Sequence, residues 1–224
     1  MMGEGLTGSQ IAVRALGVIG TALVLRAIKR SVSPEIRCKL KCKCGKVEGC
    51  VKAKKEDSIR IHCFCEDCRV YARFVAAQGN HEEETIGKNG DNRVVQVCKQ
   101  AVTIEKGQEF LQLARKGPPS KDNKQLFMHR FYASCCGSPL FNTVDFLGFV
   151  GVFTDFLDEN HTKFDGPVCM FPEKALNKPD PPIKDIFAPD FLWKLVRYFP
   201  WRNSGPFDYG MEPKYWGSET KKTS

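Results

Sequence analysis

The segment Ile61-His62-Cys63-Phe64-Cys65-Glu66-Asp67-Cys68-Arg69 places three cysteines within six residues, spaced C-x-C-x-x-C. In an extended chain Cys63 and Cys65 point to the same side, because strand side chains alternate with period two. A turn over the next two residues brings Cys68 back to the same point. Three converging sulfurs suit a tetrahedral zinc centre, with Zn–S distances of roughly 2.3 Å. A structural centre takes four protein ligands, whereas a catalytic one keeps a position open for water or substrate. The trio therefore holds either an open zinc, which is the expectation here, or a structural zinc whose fourth ligand comes from elsewhere. Val70, Tyr71 and Phe74 follow at helical spacing and predict a helix from Glu66 to about Phe74. Cys68 then lies near a helix N-terminus, where the dipole and free amides favour thiolate. Glu66 and Asp67 are expected to cap that helix.

Upstream, Ser58 to His62 reads as a strand with Ile59 and Ile61 inward, so that His62 points away from the cysteines. Lys52 to Asp57 is a polar turn. Before it, Cys42-Lys43-Cys44-Gly45 forms a knuckle feeding a strand that includes Val51, and Gly45 permits the positive φ that lets both sulfurs approach one ion. Downstream, Ala76 to Asn92 is polar and reads as a long surface loop. Arg93 to Cys98, Ala101 to Glu105 and Phe110 to Leu113 are short β-rich runs, and Lys116 to Lys124 is an exposed turn. Leu126 to Ala133 alternates apolar and polar positions and leads into Ser134-Cys135-Cys136-Gly137. Neighbouring residues on a strand face opposite ways, so Cys135 and Cys136 meet one ion only if the backbone turns between them. Otherwise one is a ligand and the other a small buried residue. Phe146 to Phe156 is an apolar, buried segment. Phe191 to Phe199 is a short amphipathic helix that pads the surface or lies at a membrane interface.

The sequence has 224 residues, 42% of them hydrophobic, enough for a real core in one domain. Its 11 cysteines are odd in number; seven sit in short-range clusters (Cys42 and Cys44; Cys63, Cys65 and Cys68; Cys135 and Cys136) and Cys38, Cys50, Cys98 and Cys169 are scattered. The C-x-C and C-x-x-C spacings argue against a disulfide framework and for reduced thiols on metal. The net charge of +8 is spread among interleaved acids and bases, and the basic Lys39-to-Lys46 stretch has no aromatic neighbours, so there is no nucleic-acid footprint. Residues 1–37 differ from the rest: thirty residues after Glu4 contain no acid, and an apolar run extends from Ala15 to Leu25. That run is short of the about 20 residues of a membrane span. A mitochondrial or plastid import helix and an N-terminal membrane anchor through residues 11–30 both fit, whereas secretion would oxidise the thiols. The expected layout is residues 1–37 as a targeting or anchor segment, 38–172 as a zinc-bound domain, and 173–224 as a proline- and aromatic-rich extension.

The order Cys42-Lys43-Cys44-Gly45-Lys46-Val47, then Cys63-Phe64-Cys65-Glu66-Asp67-Cys68-Arg69, then Val102-Thr103-Ile104-Glu105-Lys106-Gly107, then Arg130-Phe131-Tyr132-Ala133-Ser134-Cys135-Cys136-Gly137-Ser138-Pro139-Leu140 resembles the glutathione-dependent formaldehyde-activating enzymes, a family that shares its domain with centromere protein V. The resemblance covers roughly residues 38–145. It implies a mainly β fold, a small, tent-like β-sandwich around two zinc ions, with short helices and here an N-terminal apolar helix. It also implies that Cys42, Cys44 and Cys136 belong to a structural zinc site and that Cys63, Cys65 and Cys68 hold the zinc associated with catalysis. The sequence departs from the family at Ala133, where the family has a further structural cysteine, and Cys135 is the candidate replacement.

The activity that the resemblance implies is a carbon–sulfur lyase reaction joining glutathione and formaldehyde. A zinc with three thiolate ligands is a poor Lewis acid for a carbonyl but can hold an incoming thiol as thiolate. Arg69, Arg73 or Lys46 are candidates to receive the carboxylates of glutathione, each with the plainer role of a solvated surface charge. Neither His62 nor His81, His129 and His161 belongs to a catalytic pattern, and no nucleotide fingerprint occurs. The competing expectation is a zinc-stapled binding module without catalysis.

Overall fold

Period-two alternation carries most of the architecture. In a computed structural model, which describes residues 31–79, 85–117, 128–144, 146–179, 183–186, 188–208 and 210–216 together with Thr21 and Ile28, twelve strands form two sheets. The strands are β1 (Glu35–Lys41), β2 (Glu48–Lys54), β3 (Ser58–Cys63), β4 (Asn92–Cys98), β5 (Val102–Lys106), β6 (Leu111–Lys116), β7 (Met128–Ala133), β8 (Ser138–Val144), β9 (Phe149–Phe153), β10 (Val168–Met170), β11 (Lys184–Asp185) and β12 (Lys214–Trp216). The smaller sheet has the order β1-β2-β5 and the larger the order β11-β10-β3-β4-β9-β8-β7-β6-β12. Among the described residues two α-helices are bounded at both ends, α1 (Glu66–Gln78) and α2 (Ala188–Tyr198).

The larger sheet is covered on both faces. Val95, Val97, Leu113, Phe131, Val150 and Val152 point toward the smaller sheet and pack on its Leu40 and Val51. Val94, Ala114, Tyr132 and Phe153 point the other way, where Tyr71 and Val75 of α1 meet them. The fold is mainly β, as the sequence predicts, with two sheets and few short helices. Because both faces are covered, β7 is buried at nearly every position instead of alternating in and out.

Several boundaries differ from the expectation. Helix α1 runs past Phe74 to Gln78, because Val75 and Ala76 continue its buried stripe until Gly79 ends it. The predicted loop from Ala76 to Asn92 thus begins later, and Asn92 already belongs to β4. Strand β1 starts at Glu35, inside the segment set apart as residues 1–37. The extension from residue 173 is not separate from the fold: β11 pairs with β10 and β12 with β6, both parallel, at the two edges of the larger sheet. Phe146 is 46% exposed, since the strand in that segment starts only at Phe149. Cys65 is the cap residue of α1 and makes no side-chain cap bond; Glu66 and Asp67 lie in the first turn, where Asp67 pairs with Lys116 at 2.8 Å. Among the described residues no helix is long and apolar enough to cross a membrane. The apolar run Ala15–Leu25 lies, Thr21 aside, outside those residues.

Candidate metal centres

Two turns build the first cluster. In the turn between β1 and β2, Gly45 has φ +75°, its amide donates to the Cys42 carbonyl oxygen at 2.9 Å, and the Cys42 amide donates to the Val47 carbonyl oxygen at 3.0 Å. In the turn between β7 and β8, Gly137 has φ +64° and donates to the Ala133 carbonyl oxygen at 2.8 Å. That reversal lets adjacent cysteines share a side: the Cys135 and Cys136 sulfurs are 3.9 Å apart. Cys42 lies 3.6 Å from Cys44 and 3.9 Å from Cys135, and Cys44 lies 3.3 Å from Cys135. All four sulfurs fall within 4.8 Å of one another. A tetrahedral ion with Zn–S of roughly 2.3 Å has ligand–ligand edges of roughly 3.8 Å, so the donor set and its spacing fit zinc. Ala133 is fully buried in the core, and Cys135 contributes the sulfur on that side.

Backbone and hydroxyl donors point into this cluster. The Val47 amide donates to the Cys42 sulfur at 3.2 Å, and Cys136 Sγ lies 3.1 Å from Ser138 Oγ. Burial opposes a Cys136 thiolate, but hydrogen bonds from Ser138 and from the Cys44 and Ser138 amides outweigh it and bring the thiol from 9.0 down to about 6. Burial pushes the Cys42 and Cys135 thiols upward.

The second cluster sits where β3 runs into α1. Cys63 ends the strand, Cys65 caps the helix, and Cys68 lies in its first turn. The Cys65 and Cys68 sulfurs are 3.0 Å apart, and Cys68 and Cys63 are 3.7 Å apart. No fourth His, Cys, Asp or Glu joins this trio among the described residues. Phe64, between two ligands, is fully buried, and its amide donates to the Met170 carbonyl oxygen of β10 at 3.1 Å. The contacts with the Cys63 sulfur and then the Cys65 sulfur hold the Cys68 thiol well below 9.0 despite burial, with Arg130 adding to the effect. The same sulfur contacts push Cys63 upward. Cys65 is lowered by Cys63 but raised by Cys68 and burial, and ends at about 11.

Arg130 is the residue that the sequence pattern did not single out as functional. It is 4% exposed, and its Nη2 reaches the Cys68 sulfur at 3.6 Å. Its guanidinium carbon lies 4.7 Å from the Tyr71 ring centre and 5.4 Å from that of Trp216. Its Nε and Nη1 have no hydrogen-bond partner among the described residues. The basic residues considered from the sequence lie differently. Arg69 is spent on the carbonyl oxygens of Phe64 and Lys174, at 2.7 and 3.1 Å. Lys46 sits over the Phe110 ring at 5.4 Å, and Arg73 is exposed. His62 turns away from the trio and pairs with Asp91 at 2.9 Å. None of the 11 cysteines is in a disulfide.

A family model described as "Family of unknown function (DUF6151)" matches residues 36–197, a span that takes in both clusters. No curated protein matches the sequence. Among solved structures, that of a Rhodobacter sphaeroides protein is similar at 18% identity over 59% of this chain and 99% of that one, with a TM-score of 0.36.

Proposed function

The chain belongs to the family of unknown function DUF6151, and from that premise we propose that it is a zinc-dependent, carbon–sulfur lyase-like protein handling glutathione or a glutathione–formaldehyde adduct. The reading rests on the resemblance to the formaldehyde-activating enzymes and on one observation, the inequality of the two clusters. Four sulfurs close the first, whereas three sulfurs and a buried arginine make up the second. The first fits a structural staple and the second a centre that receives a substrate.

Bound by Cys63, Cys65 and Cys68, zinc would supply a cation that keeps an incoming thiol ionised at neutral pH. Three thiolates on a divalent ion leave one net negative charge, and Arg130 offsets it from beside Cys68. Cys65 at the helix cap and Cys68 in the first turn hold their sulfurs on the backbone rather than on a flexible loop, so the trio needs little rearrangement. The net reaction forms one carbon–sulfur bond between the thiol and formaldehyde, and the thiol proton ends on the former carbonyl oxygen.

The test is zinc content and glutathione binding on the wild type and on Cys65→Ser. The expected result is loss of about one zinc per chain and of glutathione affinity in a variant that stays folded on the four-cysteine staple. Retained affinity in Cys65→Ser, or no thiol binding by either form, would make the second centre another staple and the protein a binding module.

A further inference from the structure

Helix α2 buries Tyr198 and packs Phe191 on the core, yet leaves a second apolar face uncovered. Its polar side holds it down: Lys194, 8% exposed, donates to the Ser58 carbonyl oxygen at 2.6 Å and faces Asp165 at 3.4 Å. Arg197 is paired with Asp57, whose backbone oxygen also accepts from the Tyr198 hydroxyl at 2.8 Å. One apolar face is left outside, with Leu192 57%, Trp193 42% and Val196 66% exposed, and Phe199, in the turn just beyond the helix, 50% exposed. Leu192, Val196 and Phe199 follow the helical repeat and form one stripe, flanked by Trp193. Phe146, 46% exposed, belongs to the loop beside the end of α2, because Gly148 packs so closely on the Tyr198 carbonyl that a Cβ there would overlap it. Single exposed apolar residues are ordinary, but a contiguous set marks a contact surface.

The chemistry of the patch selects its partner. From Phe191 to Phe207 the sequence contains no Asp or Glu. The Arg202 guanidinium stacks over Phe199 at 4.7 Å, and exposed Lys55 lies two residues from the Asp57 that anchors Arg197. Asp190 stands in the first turn of α2, but from Phe191 on the exposed aliphatic and aromatic side chains have a cation, Arg202, against them, which matches the headgroup boundary of an anionic bilayer. The whole chain carries a net +8, and the acid-free apolar run near its N-terminus has the same chemistry in the sequence. We propose that Leu192, Trp193, Val196, Phe199 and Phe146 seat the domain on an anionic lipid surface, with α2 lying in the plane of the interface.

The experiment uses the full chain with vesicles of phosphatidylcholine, alone or mixed with phosphatidylserine, some carrying brominated acyl chains. The expected result is binding that favours the anionic vesicles, with tryptophan emission shifted to the blue and quenched by bromine. Trp193→Phe should remove most of that quenching, and Leu192→Glu with Val196→Glu should lower vesicle affinity by roughly tenfold or more while zinc content stays the same. Because the N-terminal run could itself hold the chain to lipid, the decisive readout is local to Trp193. Quenching that survives Trp193→Phe overturns the proposal. So does concentration-dependent self-association without lipid that Leu192→Glu abolishes, which would make the stripe a contact between copies.

Discussion

A guanidinium with 4% of its surface exposed has to be matched by negative charge, and the hydrogen-bond acceptor found for Arg130 is sulfur. Packed against both Tyr71 and Trp216, it cannot swing out to water without giving up both rings. Arg130→Met should therefore weaken metal retention at the Cys63-Cys65-Cys68 centre by about 10–100-fold, as is usual when a residue supporting a ligand is lost. Competition with a chromophoric chelator measures it. Arg130→Lys keeps the charge but loses the planar stacking, and should fall between the two. A second residue-scale expectation concerns pH. Burial opposes the Asp91 carboxylate, but the hydrogen bond and charge of His62 outweigh it and hold the group below its ordinary 3.8. A carboxyl depressed in the folded state stabilises fully above the unfolded value and loses that contribution as pH falls through the folded one. Asp91→Asn should thus cost about 1–3 kcal/mol near neutrality and flatten the loss of stability below about pH 4, compared with wild type in urea titrations at matched pH.

The elements that hold the clusters depend on two tight turns. A Cβ on Gly137 would overlap the Val75 carbonyl and come within 2.7 Å of Gly79 Cα, in a residue whose φ is already +64°. Gly137→Ala should cost about 2 kcal/mol or more, read by urea denaturation, and should loosen the first metal centre. Much at this scale was legible beforehand. Ile59 and Ile61 alternate with polar neighbours and marked β3, and the helical spacing of Val70, Tyr71 and Phe74 marked α1. The turn that joins Cys135 to Cys136 was legible only as a condition, because adjacent residues meet one ion only where the backbone turns between them. What stayed hidden depends on distance along the chain. Arg130 meets Cys68 across 62 positions, and Trp216 joins it from an edge strand of three residues that has no alternation to read. The exposed apolar stripe of α2 was hidden for a similar reason: periodicity shows the faces of a helix, but Asp57 and Asp165 help decide which side turns inward.

Over the whole molecule, the first cluster ties the turn after β1 to the turn after β7, joining the two sheets through four sulfurs. A metal ion held there would add its binding to the folding free energy. Chelation should lower the thermal midpoint, and Cys44→Ser should lower it further than Cys65→Ser, because only the former opens the clip between sheets. Differential scanning calorimetry with zinc analysis separates the two effects. Helix α1 spans 13 residues, roughly 20 Å, with Cys65 and Cys68 at its head and its tail against Gly137 beside Cys135 and Cys136. One rigid rod thus touches both cysteine groups, and anchoring either end narrows the wandering of the other. Titrating the stripped chain with zinc should consequently yield empty and doubly loaded molecules with few in between, a ladder with its middle rung missing in native mass spectra.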